Sequence, residues 1–302
     1  MCSVCGSRAR YFQRYSGKSY CGRCFTRSIR RRVWREVRRN RLIRDGDFVL
    51  IALSGGKDST ACLDMVHELE RRRKVELAAI TVDEGIEGYR PAGIQAAKLA
   101  AEERGIELHR VSFRKEVGLD LDSIIGKLGD ASRACTYCGV LRRWILNRHA
   151  RELGADRLVT GHNLDDEAQS ALLNLIRGDP ARLARSGPGY LLDHDKFVPR
   201  VKPLRKIPGK ETLLYCLFRG LEVHTASCPY SEYDMRNEVR GFLNRLEEER
   251  PTSKSSFLST TNRLARSVGD EFRGVKLREC DNCGEPTTGK LCKACQLLST
   301  IP

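Results

Sequence analysis

Ser54, Gly55, Gly56, Lys57, Asp58 and Ser59 put two hydroxyls, two glycines, an ammonium and a carboxylate into six consecutive positions. Glycine backbone can come close to an anion, and a helix that starts just after such a turn offers it unpaired N–H groups. The chemistry this suits is phosphate binding, with a tight, capped turn as the plain alternative. It is not a Walker A loop. That motif needs glycine where Ile51 stands and Ser or Thr directly after the lysine, where Asp58 stands.

Thirteen cysteines supply the other reactive groups. Four at the start follow Cys2-x2-Cys5-x15-Cys21-x2-Cys24, and four at the end follow Cys280-x2-Cys283-x8-Cys292-x2-Cys295. Paired Cys-x-x-Cys knuckles surround one tetrahedral Zn²⁺, and ribbons this small need the metal to fold. Two structural zinc ribbons are expected, with redox-active dithiols as the alternative. Cys135, Cys138 and Cys228 form a third set. Three thiolates with an open fourth position suit a 4Fe–4S cluster whose fourth iron is free. The same residues also fit a zinc site completed by His162 or His224, a redox disulfide, or a thiol relay for sulfur. Cys62 and Cys216 stand alone among apolar neighbours and are expected in the core.

The elements that must position these groups alternate. Residues 47–53 are apolar and β-branched, as in a buried parallel strand, and 60–73 carry helical spacing. Further strands are expected at 75–82, 106–113 and 157–160, with helices at 91–104, 121–128, 141–153 and 168–176. That order predicts an α/β fold, a doubly wound parallel sheet of Rossmann-like kind, whose ligands lie beyond the C-terminal strand ends. The loops at 54–59, 83–90 and 161–167 then face one crevice. Residues 178–206, rich in proline and glycine, suit a long surface loop, and 210–220 and 231–272 suit helices. The chain divides into an N-terminal zinc ribbon (1–26), a basic linker helix (27–46), a central domain (47–230), a helical extension (231–274) and a C-terminal zinc ribbon (275–302).

Lysine and arginine number 54 against 39 acids, a net charge of +15. Such an excess favours a polyanionic partner, nucleic acid first. Nine arginines from Arg27 to Arg44 share a helical stretch with an apolar stripe of Ile29, Val33 and Val37, and only Glu36 interrupts them before Asp45. A phosphate backbone is the expected contact, and a solvated face the alternative. No run of about 18 apolar residues is present to cross a membrane, and Met1-Cys2-Ser3-Val4-Cys5 does not open a secretory signal. A reducing, cytoplasmic location is expected, in which thiols serve metals rather than disulfides.

SGGKDS resembles the PP-loop of the N-type ATP pyrophosphatases. With it stand VDEGIEGYR at 82–90, CTYCGVLRR at 135–143, VTGHNLDDEAQ at 159–169, NLIRGDPARLAR at 174–185 and the Cys228-Pro229 pair, all between the two ribbons. Together these are similar to the archaeal and eukaryotic cytoplasmic tRNA 2-thiolation protein family, over essentially the whole chain. The resemblance implies a tRNA-uridine 2-sulfurtransferase. ATP with Mg²⁺ would adenylate the C2 carbonyl oxygen of a tRNA uridine, and sulfur would then displace AMP. It also implies that Ser54, Gly55, Gly56, Lys57, Asp58 and Ser59 cradle phosphates, that Ala52 and Val82 lie along the adenosine, and that Gly161 closes the nucleotide pocket. Cys135, Cys138 and Cys228 would hold the cluster, and its free iron the sulfide. Sulfur would come from a thiocarboxylated ubiquitin-like carrier protein or from free sulfide, and the chain would work as a homodimer.

Asp166 is the candidate for activating or orienting groups at the reacting carbon, or for helping to hold metal. Helix capping is its alternative, a role open to Asp165 as well. Arg142 stands where related T-loop enzymes have lysine. Its charge is fixed and its fork grips phosphate, which assigns it to ATP or the developing pyrophosphate. GVLRR and VDEGIEGYR are closer to the wobble-uridine branch, so the anticodon is expected over the T-loop. Lysidine synthetases do without the cluster cysteines, and cytidine 2-thiolases generally without the two ribbons. A zinc-ribbon RNA-binding protein without catalysis is the reading from another class, and it would not need the hexapeptide, Gly161 and Asp166 intact.

Overall fold

The computed structural model describes residues 1–184, 194–233, 236–269 and 277–302, with Arg71 and Arg72 described without their side chains. The first Cys-x-x-Cys pair leads into a hairpin of β1 (Tyr11–Gln13) and β2 (Lys18–Tyr20). The second pair opens α1 (Gly22–Arg39), where Cys21 caps the helix by accepting from the Cys24 N–H. The apolar stripe faces inward, with Phe25, Ile29, Val33 and Val37 buried.

Strict alternation follows: β3 (Phe48–Ala52), α2 (Lys57–Arg73), β4 (Glu76–Asp83), α3 (Arg90–Glu102) and β5 (Glu107–Ser112). Two short helices, α4 (Phe113–Val117) and α5 (Leu121–Leu128), precede α6 (Ala134–Glu152), β6 (Arg157–Thr160) and α7 (Leu164–Ile176). Then come α8 (Pro180–Ala184), β7 (Arg200–Val201), α9 (Gly209–Arg219), α10 (Arg236–Glu249) and α11 (Ser253–Gly269). The second ribbon is built from β8 (Arg278–Glu279), β9 (Pro286–Thr287) and α12 (Lys293–Leu298).

The five central strands are parallel and run in the order β5-β4-β3-β6-β7. The chain turns from one side of β3 to the other between β5 and β6. The loops after β3 and β6 therefore open side by side at a switch point, where such sheets bind ligands. Both faces are covered. Val49 and Ile51 of β3 join a core with α1, α2, α3 and α9, while Leu50 joins one with α5, α6 and α12. Alternate residues going to two buried faces explain why the strand is an unbroken apolar run.

Several expectations change. The helix expected from residue 141 begins at Ala134, so Cys135 and Cys138 lie in its first turns rather than before it. Arg133 gives that start no side-chain cap, and nothing local marks it. The helix expected from 168 begins at Leu164, capped by Asn163. The span 178–206, expected as loop, contains α8 and β7, both too short to show a period. Gly187, Pro188 and Gly189 of that expectation lie outside the described residues. The basic helix ends at Arg39, before Arg41 and Arg44, and Arg41 has φ 48°.

Candidate active site

β3 delivers the chain to the hexapeptide. Gly55 has φ +82°, and a Cβ on it would stand 2.0 Å from the Gly93 carbonyl oxygen, so only glycine fits. Gly56 caps α2, and Lys57, Asp58 and Ser59 form its first turn. Ser59 Oγ lies 3.0 Å from Ser54 Oγ and donates to the Gly56 carbonyl, also at 3.0 Å. Lys57 Nζ and Thr212 Oγ1 donate to the two oxygens of Asp58 at 2.6 and 2.5 Å. Gly161 packs on this turn: a Cβ there would lie 2.8 Å from Ser59 N.

A cavity of about 290 Å³ opens beside the turn. Ala52, Ser54, Asp58, Ser59, Val82, Arg142, Gly161 and Asp166 all line it. The Lys57 side chain does not, being turned toward Asp58 and Thr212.

Asp166 is the third residue of α7. One of its oxygens accepts from the Asn163 N–H at 3.0 Å, and Asn163 Oδ1 accepts from the N–H groups of Asp165 and Asp166. Asp166 rather than Asp165 therefore completes the capping box that Asn163 opens. Asp165 instead accepts from the Gly209 N–H at 2.5 Å and pairs with Lys254. Burial, opposed by the Asn163 N–H, pushes the Asp166 carboxyl up to about 6.

Arg90 and Glu84, unassigned by spacing, tie the walls together. Buried Arg90 donates to the carbonyls of Ser54 and Val82, each at 2.8 Å, and to Thr81 Oγ1 at 2.7 Å. It also pairs with Glu84 at 2.7 Å. The other oxygen of Glu84 lies 3.1 Å from Arg142 Nε, and Arg142 donates to Cys138 Sγ at 2.9 Å. The fork expected at phosphate thus faces a thiol and a carboxylate, at the junction between the hexapeptide and the cysteines. A single Glu in a loop and a single Arg at the start of α3 have no periodic signature, which is why spacing passed over them.

Cys135 and Cys138 stand one turn apart on α6. Cys135 Sγ donates to the Tyr230 carbonyl at 3.8 Å, and the Tyr230 N–H donates to the Cys228 thiol. Cys228 is near enough to Cys138 for their charges to interact. The segment that carries Cys228 starts on the hexapeptide, since the His224 N–H donates to the Gly55 carbonyl at 2.8 Å. Burial pushes the Cys138 and Cys228 thiols up. All thirteen cysteines are unbridged, and Cys62 and Cys216 are buried as expected.

Each terminal set of four thiols gathers within 4.8 Å, whereas among the described residues the middle three form no such set, with or without His162 or His224. Thiols around one zinc lie about 3.8 Å apart for Zn–S bonds of about 2.3 Å; Cys5 and Cys21 lie 3.7 Å apart, and Cys283 and Cys292 3.6 Å. A wider, all-thiol set in an apolar wall fits a cluster with several irons better than one ion completed by histidine. In the N-terminal set the Cys21 backbone pulls Cys2 down to about 6, while hydrogen bonding from Cys5 holds Cys24 up at about 12. Four thiolates ionise together only when a cation neutralises them, so the donors fit a divalent metal.

A family model described as a PP-loop domain matches residues 28–246. The tRNA 2-thiolation protein NcsA of Haloferax volcanii is 39% identical over 316 residues, spanning 99% of this chain and 98% of that one. The chain belongs to the tRNA 2-thiolation family of PP-loop proteins. Another relative, the cytoplasmic tRNA 2-thiolation protein 1 of Chlamydomonas reinhardtii, is 33% identical across 100% of this chain and 85% of its own length. Among solved structures, the U34-tRNA thiolase NcsA from Methanococcus maripaludis with its 4Fe–4S cluster matches with a TM-score of 0.85 at 38% identity. That match covers 99% of this chain and 96% of the other. As a tRNA 2-thiolation family member the chain is an enzyme, and its parallel sheet and two terminal four-cysteine sets are those the sequence led us to expect.

Proposed function

We propose that this enzyme replaces the C2 oxygen of the wobble uridine of tRNA with sulfur, by adenylation followed by sulfur transfer in one crevice. The observation that carries this reading is the run of contacts Ser54–Arg90–Glu84–Arg142–Cys138, which joins a phosphate-binding turn to the middle cysteines. An amide-like carbonyl oxygen is a poor leaving group, and adenylation makes it a good one. The uridine O2 attacks the α-phosphorus of ATP, and the bond to the bridging oxygen breaks as pyrophosphate leaves with its electron pair. Sulfur then adds to C2, and the C2–O bond breaks as AMP departs carrying the former carbonyl oxygen.

Within that scheme residues 54–59 bind the phosphates with Mg²⁺, and Ala52 and Val82 flank the adenosine. Asp166 presents a carboxylate where the uridine and the metal must be oriented. Arg142 holds its charge at every working pH and balances pyrophosphate on one side and Cys138 on the other. Cys135, Cys138 and Cys228 would hold the 4Fe–4S cluster, which supplies a labile iron for sulfur when bound. The two ribbons take structural Zn²⁺. Sulfur comes from a thiocarboxylated ubiquitin-like carrier or from sulfide, and the working form is a cytoplasmic homodimer; both follow from the family resemblance.

Mass spectrometry of tRNA nucleosides from a strain lacking the protein tests the reading. Loss of 2-thiouridine from the anticodon supports it. Loss confined to the T-loop would move the target there, and intact thiolation at both positions would overturn it.

A further inference from the structure

The cavity has a second charged wall, of which the chemistry above uses only Arg142. Arg142, His162 and Arg236 line it. Arg143 follows Arg142 on α6 and is exposed. Arg200 is exposed on the edge strand β7, in register with Leu158, two residues before β6 ends at Thr160. Thr160 Oγ1 in turn lies 2.9 Å from His162 Nδ1. Arg142, Arg200 and Arg236 stand close enough to weigh on the charge of both Arg143 and His162. Partial desolvation of its guanidinium and then these neighbouring guanidiniums push Arg143 down to about 10.

Of the carboxylates nearby, Asp166 lines the cavity and accepts from the Asn163 N–H, and three more form ion pairs. Glu84 pairs with Arg90 and Arg142, Glu167 with Lys202 and Arg205, and Asp179 with Arg182. Among the described residues no carboxylate forms an ion pair with Arg143 or Arg200. Exposed guanidiniums gathered beside a cavity without an ion-pair partner, as Arg143 and Arg200 are, are costly until an anion joins them.

We propose that Arg143, Arg200 and Arg236 form a receptor for the RNA backbone phosphates that flank the uridine entering the cavity, separate from the turn that binds ATP. This rests on the tRNA reading above. A base whose C2 must reach the foot of the sheet has to leave its stack, and the phosphates on either side stay at the rim. Arg236 lines that rim, and the exposed Arg143 and Arg200 stand beside it. Their planar forks match phosphate oxygens, and the amides of the 54–59 turn already serve the nucleotide. His162, at the same rim and held neutral by desolvation in the cleft and the surrounding cations, offers a ring face to the displaced base.

The test is the double variant Arg143→Gln/Arg200→Gln, with Arg143→Lys/Arg200→Lys as a second variant that keeps the charge and loses the fork. Binding of a labelled anticodon stem-loop RNA is followed by anisotropy across a salt titration, and ATP binding is followed by calorimetry on the same protein. The glutamine variant should bind RNA about tenfold more weakly, with a salt slope shallower by about one to two, and should bind ATP as the parent does. The lysine variant should keep the slope and lose only part of the affinity. A fall in ATP affinity with RNA binding intact would hand these arginines to the triphosphate and overturn the proposal. Unchanged binding of both would reduce them to a solvated face, which overturns it equally. Failure of the unmutated enzyme to bind the stem-loop would instead defeat the tRNA reading itself.

Discussion

One oxygen of Asp166 accepts from the Asn163 N–H at 3.0 Å while the residue lines the cavity. Its folded carboxyl titrates near 6, above its unfolded value of about 4. Such a group favours folding while protonated. The contribution is complete below the unfolded value and is lost as pH rises through about 6, so at neutral pH the buried charge destabilises. Asp166→Asn keeps an oxygen for the cap and removes that charge. Its stability at neutral pH, followed by thermal melting, should match or exceed the parent's, by about 1 kcal/mol or less once partial solvent contact is allowed for. Thiolation should fall about a hundredfold or more. A variant that thiolates within a few-fold of the parent would leave Asp166 a cap and nothing else. At this scale the hexapeptide was legible, because two glycines among short polar residues serve few backbone shapes. Glu84, Arg90 and Thr212 were not, since each takes its meaning from a partner that only the fold brings near.

β3 was placed closely because its residues bury on both faces, which leaves a continuous apolar run. The starts of α6 and α7 escaped for opposite reasons. Arg133 supplies no cap at all, and Asn163, which does cap, stands among polar residues that suit a loop equally well. In α1 the apolar stripe was legible, but the fate of its arginines was not. Arg30 turns inward to Glu68 at 2.5 Å and to Tyr215 at 2.7 Å, and Arg32 pairs with Glu211 at 2.5 Å. Arg31, Arg35 and Arg38 are exposed and, among the described residues, form no ion pair. Replacing these three with glutamine should weaken tRNA binding about tenfold and flatten its salt dependence by about two to three units of slope. An unchanged slope would leave the helix a solvated face.

The two ribbons brace opposite sides of the molecule. The first packs beside α9, where Gln13 donates to Glu211 at 2.6 Å and Phe25 meets Phe218 with ring centroids 5.6 Å apart. The second holds α6. Tyr137 Oη lies 2.7 Å from Thr300 Oγ1, and Asn147 donates to Glu285 at 3.1 Å. Since α6 carries Cys135 and Cys138, losing the second zinc should loosen the cysteine wall. Cys283→Ser should lower the iron bound per chain after anaerobic reconstitution, and Cys5→Ser should not. Equal iron in the two variants would mean that the ribbon does not position α6.

At the scale of the whole reaction, the central claim is that one crevice both makes the leaving group and replaces it. Following the oxygen tests this most directly. A tRNA carrying heavy oxygen at C2 of the target uridine is turned over once, anaerobically, with ATP and a sulfur source. AMP should emerge carrying the heavy oxygen in step with 2-thiouridine. Label in water or pyrophosphate, or thiolation without release of AMP, would contradict adenylation of the uridine.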